Sequence, residues 1–150
     1  MRLFLLFAAA LALCSCSTDS GTSPTESLDT REVTMPDGRK VRAEVMIKPV
    51  DLQRGLMFRE SLPEGRGALF IHRQASPYQY WMYQVKIPLD IIFMDAKHRV
   101  VGIAANVPPC QTKASDCPQY GGYAGTQYVL ELAGGQAARY GVQTGQFLAF

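Results

Sequence analysis

The sequence predicts a mainly β fold: a single compact β-sandwich or jelly-roll-like domain, or a partly open barrel, with two short helices. Two observations point there. Nine prolines and 13 glycines punctuate 150 residues, so turns are frequent and helices few. Seven or eight short apolar runs, alternating with period two or continuously apolar, recur between turn signals. The length fits one domain. A hydrophobic content of 47% excludes a chain disordered throughout. Fifteen basic residues against 13 acidic ones give a net charge of +2, with no basic run to follow a row of phosphates, so no nucleic-acid partner is expected.

The chain begins with Met1-Arg2 and an unbroken apolar run over 3–13. That run is about half the ~20 residues a spanning helix needs, so it reads as a signal-peptide core. Leu13-Cys14-Ser15-Cys16 resembles a bacterial lipobox, with Leu at −3, small Ser at −1 and Cys16 as the lipidated first residue. Cys14 is disfavoured as that residue because bulky Leu13 would occupy its −1 position. Residues 1–15 are then a lipoprotein signal peptide, and the mature chain carries 14 basic and 13 acidic residues, net +1. Residues 16–30 are Ser, Thr, Asp, Gly, Pro and Glu with a lone Leu28, a composition suited to a flexible tether. The expected partner is the membrane, reached through this anchor. The expected location is exported, facing the periplasm or cell surface. Ser17 after the cysteine suggests the outer membrane in a Gram-negative host.

Residues 31–150 should form the folded domain. Strands over 32–35 and 40–48 flank Pro36-Asp37-Gly38-Arg39, a strong hairpin turn. Val41, Ala43, Val45 and Ile47 alternate with polar neighbours, which gives one buried and one wet face. Asp51 is suited to cap a short helix over 51–57 with Leu52, Leu56 and Met57 inward. Residues 62–67 read as a loop, 68–72 as a strand and 80–84 as an aromatic strand. The apolar run 89–95 suits a strand covered on both faces, with 100–106 as its hairpin partner. Residues 108–123 form a long loop, 127–132 a strand, 136–140 a helix stopped by Gly141, and 145–150 a last strand.

Several strings are similar to the bacterial and archaeal family called domain of unknown function 192 (uncharacterised protein family 0127). They are Arg54-Gly55-Leu56-Met57 with Arg59 and Leu62, Gly67 to Phe70, Trp81-Met82, and Ile87-Pro88-Leu89-Asp90-Ile91-Ile92-Phe93. Val101 to Ile103, the Pro-Pro-Cys loop, Tyr128 to Leu132 and the Gly141 and Gly145 pair agree, so the resemblance covers 32–150. It implies a compact β-rich, jelly-roll-like fold and no reaction. The chain departs from the family where Phe-Trp-Met-Lys-Asn-Thr becomes Tyr80-Trp81-Met82-Tyr83-Gln84-Val85, and where Gly-Met-Leu-Phe becomes Gly67-Ala68-Leu69-Phe70. The first change removes a cation and two hydrogen-bonding groups.

Arg54, Arg59, Trp81 and Asp90 are the candidate ligand-binding residues. Asp90 interrupts an apolar strand and needs a partner when buried, for which Arg54 is the natural choice, either structurally or within a site. Trp81 offers a flat face for rings or acyl chains. Cys110 and Cys117, in an oxidising compartment, should form a disulfide. A metal site there would lack ligands, since His72 and His98 are the only histidines. His72 reads as an exposed strand end. Glu131 reads as a solvated residue or a partner of Arg139, with a weaker option of a glycosidase-type pair with Asp90. No nucleophile elbow, zinc-protease or phosphate-loop motif is present, so no catalytic residue, metal or cofactor is assigned. The leading function is a non-catalytic, lipid-anchored envelope domain that binds a small molecule, glycan or protein. The alternatives are a hydrolase acting on an envelope polymer, or a purely structural lipoprotein.

Overall fold

The structure, a computed structural model, describes residues 29–150, and the expected signal peptide, Cys14, Cys16 and all but the end of the expected tether lie outside the described residues. The hairpin forms as the sequence predicts. β1 (Thr30–Thr34) pairs antiparallel with β2 (Lys40–Met46). Asp37 accepts the Arg39 N–H at 3.0 Å and locks the turn. Val41 and Ala43 are fully buried, whereas Ile47 falls outside the strand and is exposed.

Helix α1 spans Pro49–Arg54. Proline at its first position needs no N–H partner, so the helix starts two residues earlier than expected and Asp51 sits in the first turn instead of capping it. β3 (Arg66–Ile71) then returns parallel to β2. β4 is Gln79–Trp81, β5 is Leu89–Met94 and β6 is Val100–Val107. The long loop expected at 108–123 holds one further short strand, β7 (Gln119–Gly121), which pairs with β4 in a two-stranded ribbon. β8 (Tyr128–Ala133) and α2 (Gln136–Arg139) follow. Gly141, in the left-handed region at φ 72°, donates its N–H to the Ala138 carbonyl at 3.1 Å and ends α2.

The fold is mainly β with two short helices. Its six-stranded sheet has the order β1-β2-β3-β8-β5-β6 and is open, not a closed barrel. Residues 145–150 do not form the expected last strand. They make two isolated bridges, Thr34 to Ala149 and Arg99 to Phe147, so one segment touches both β1 and the start of β6.

Side-chain alternation divides the core in two. Leu69, Ile92, Leu130 and Leu132 pack beneath Tyr140 and Leu148 on one face. Phe70, Ile91, Phe93 and Val129 pack on the other, with Leu56 and Met82 above them. All six residues of β5 are buried, as its unbroken apolar run requires. The second face, roofed by α1 and β4, carries the site.

Candidate functional cleft

Where α1 ends, the chain must turn sharply against the sheet. Gly55 does so at φ 47°, and a Cβ there would stand 3.1 Å from the Phe70 ring. Glycine therefore lets the Arg54-Gly55-Leu56-Met57 string lie directly on β3. This turn forms one wall of a cavity of about 190 Å³, and Tyr78, Tyr80 and Trp81 form the other. That volume is below the ~300–1,000 Å³ of drug-sized sites and suits a ligand of few atoms.

Glu131 projects from β8 into this cavity. Only 4% of the residue is exposed, and its carboxyl group has no hydrogen-bond or ion-pair partner among the described residues. Among those residues no sealed side-chain oxygen lacks a partner, so the Glu131 oxygens open onto the cavity. Burial pushes its carboxyl up to about 8, so it is largely protonated at neutral pH. The residue is therefore neither solvated nor paired with Arg139, which binds Glu64 at 3.3 Å. Alternation along a strand tells which face a side chain takes, not whether that face is wet.

His72, at the end of β3, is half-buried instead of being an exposed strand end. Its Nε2 lies 2.9 Å from the Tyr80 hydroxyl, and its ring stacks on Tyr78 with centroids 3.6 Å apart. Burial lowers the His72 pKa and favours the neutral ring. Burial, with the Glu131 charge as a second contribution, holds the Tyr80 phenol protonated. Tyr80 is fixed edge-on against Phe70 and Phe93. Among the described residues, the buried part of the cleft thus holds an acid and neutral polar groups, and no cation.

Of the four predicted residues, Arg54 and Trp81 line this cavity, and Arg59 and Asp90 do not. Arg54 lies at the exposed rim of the cavity and has no ion-pair partner among the described residues. Trp81 is half-buried in the wall, tilted against Tyr83 with ring centroids 5.3 Å apart. Arg59 instead grips Glu44 with both terminal nitrogens, Nη1 at 2.7 Å from Oε1 and Nη2 on Oε2.

Asp90 belongs to the opposite face and does not pair with Arg54. Its two oxygens accept the backbone N–H groups of Asn106 at 2.6 Å and Ala137 at 2.7 Å. Two backbone donors, one in β6 and one in the first turn of α2, satisfy the buried carboxylate without a cation. The Asp90 and Glu131 carboxyls are separated by the sheet, which removes the glycosidase-type pair. Cys110 and Cys117 are joined by a disulfide. Among the described residues no cluster of three His, Cys, Asp or Glu is placed to hold a metal.

An open six-stranded sheet with a two-stranded ribbon beside it, and an aromatic cleft on one face holding a buried acid, defines a small mainly β domain. The chain belongs to the DUF192 family, described as an uncharacterized ACR, whose model matches residues 32–150. Two solved structures share the fold. A protein of unknown function from Novosphingobium aromaticivorans is 33% identical, with a TM-score of 0.73 over 85% of this chain and 89% of that one. A Sinorhizobium meliloti protein described as "a putative transcription regulator" is 27% identical, with a TM-score of 0.73 over 82% of this chain and 95% of that one. None of the curated proteins matches the sequence.

Proposed function

We propose that this chain is a lipid-anchored envelope domain that binds a small molecule in the cleft between α1 and β4. The signal-peptide pattern and the Leu13-Cys14-Ser15-Cys16 string support the anchor. One observation carries the binding reading: the carboxyl group of Glu131, more than nine-tenths buried and without a partner among the described residues, lines the cavity. A buried acid left without a partner is costly for a fold to keep, and a ligand that supplies a hydrogen-bond partner or a counter-charge removes that cost. The aromatic walls supply apolar contact area and fixed orientation.

The test is a thermal-shift screen of small metabolites and cell-wall fragments against the lipid-free mature chain. A ligand that binds only the native state raises the melting temperature by mass action. The hits should lose most of their effect with Glu131→Gln and Trp81→Phe while both variants stay folded. A screen without hits, or hits indifferent to both substitutions, would exclude the cleft as the binding site.

A further inference from the structure

The cleft has a charge arrangement that selects a ligand class, and this step rests on the binding reading above. Its lining carries one acid, Glu131, together with the aromatic residues Phe70, Tyr80 and Trp81. Besides Arg54, the other titratable groups lining the cavity among the described residues are His72 just after β3, Tyr78 just before β4 and Tyr80 in β4, and none supplies a positive charge at neutral pH. Every ion pair formed by the other acidic residues near this face is complete without it, Arg59 being held by Glu44. Among the described residues the one cation lining the cavity is Arg54, an exposed residue at its rim.

We infer that the cleft binds a small zwitterion, its ammonium group seated on Glu131 among the aromatic rings and its anionic group against Arg54 at the rim. Aromatic faces attract a desolvated ammonium, and a carboxylate behind them supplies the counter-charge. The rim guanidinium, with donors to spare, is suited to a carboxylate or phosphate. A cavity of about 190 Å³ matches a trimethylammonium group with a short acidic arm, not a sugar chain. Because Glu131 starts protonated, seating the ammonium ionises it and releases a proton to solvent.

The test is titration calorimetry on the lipid-free mature chain with four probes: glycine betaine, phosphocholine, tetramethylammonium and the uncharged alcohol 3,3-dimethyl-1-butanol. Betaine or phosphocholine should bind, tetramethylammonium should bind at least fivefold more weakly, and the alcohol should not bind. Repeating the titration at pH 7 in buffers of different ionisation enthalpy should reveal the release of most of one proton. Glu131→Gln should weaken the zwitterion at least tenfold and abolish the proton release. Arg54→Ala should weaken the zwitterion to the level of tetramethylammonium and leave the proton release intact. Equal binding of the alcohol, binding without proton release, or failure of all three ammonium probes would overturn the inference. If those probes fail while neutral hits from the screen still respond to Glu131→Gln, the cleft remains a binding site and only the ligand class is wrong.

Discussion

Asp90 and Glu131 lie on neighbouring strands β5 and β8, one register position apart, and their side chains point to opposite faces of the sheet. Asp90 stands opposite Leu132, while Glu131 stands opposite Ile91. The two acids therefore serve separate ends: Asp90 ties α2 and the end of β6 to the sheet, and Glu131 faces the cleft.

Replacing Asp90 should damage stability and leave the cleft intact. Asp90→Ala strands the Asn106 and Ala137 N–H groups, at roughly 1–3 kcal/mol for each buried donor left without a partner. Asp90→Asn keeps one acceptor oxygen and should lose about half as much. Urea unfolding measures both, and an Asp90→Ala midpoint equal to wild type would show the two bonds to be dispensable.

Glu131 should impose a pH dependence on stability. Its folded-state value of about 8 lies above its ordinary 4.5, so between those values the folded chain holds a proton that the unfolded chain has released. Stability therefore falls as pH rises through this window, by on the order of 4 to 5 kcal/mol in total. His72 acts in the opposite sense: its lowered value makes stability fall as pH drops below its ordinary 6.5. Chemical denaturation across pH 4.5–9 should show the Glu131 limb in wild type and lose it in Glu131→Gln, which becomes the more stable protein at pH 8.

Opening the Cys110–Cys117 bond should lower stability by roughly 2–3 kcal/mol, the loop-closure contribution for so short a ring. The loop it holds also anchors Gln84, whose N–H donates to the Cys110 carbonyl at 3.1 Å. Reduction should therefore lower the melting temperature by several degrees. Intact mass without reductant should sit about 2 Da below the reduced form, and two freely alkylated thiols in the native protein would refute the bond.

Metabolic labelling with a palmitate analogue should tag the wild-type protein and not Cys16→Ser. Cys14→Ser should keep the label. Loss of label in Cys14→Ser alone would move the lipidated residue to position 14.

The parts of the fold legible in the sequence are those where local chemistry decides. Pro36-Asp37-Gly38-Arg39 fixes the first hairpin, and the unbroken apolar run identifies β5 as covered on both sides. β7 escaped because three residues cannot display a period. The site was less legible because it depends on what roofs the sheet. Leu130-Glu131-Leu132 alternates like a half-wet strand, yet α1 and β4 cover the glutamate's face. The clue available was that β8 holds no other charged residue. Asp90 was rightly marked as a carboxylate needing a partner, but backbone donors from β6 and α2, invisible to a search for cations, took that place. Gln84, at φ 59°, occupies a left-handed position where the family carries Asn, a residue that tolerates it better. The departure from the family pattern is thus a backbone matter at that position as well as a loss of polar groups.

The bridges from 147–149 to β1 and β6 bear on the order of folding events. Thr34 donates its N–H to the Ala149 carbonyl at 2.8 Å, and Leu148 donates to His98 at 3.1 Å, so β1 and the β5–β6 turn are secured by a segment remote from both in the chain. β3 likewise waits for β8 before its second edge is covered. Contacts of such long range slow the search for the native state, because loop closure must be met before the contacts repay it. Until residues 147–149 arrive, Thr34 at the end of β1 lacks its bridge, and that end of the edge strand is open to chance pairing with another chain. Slow closure would leave the chain dependent on protection from aggregation until that last segment docks.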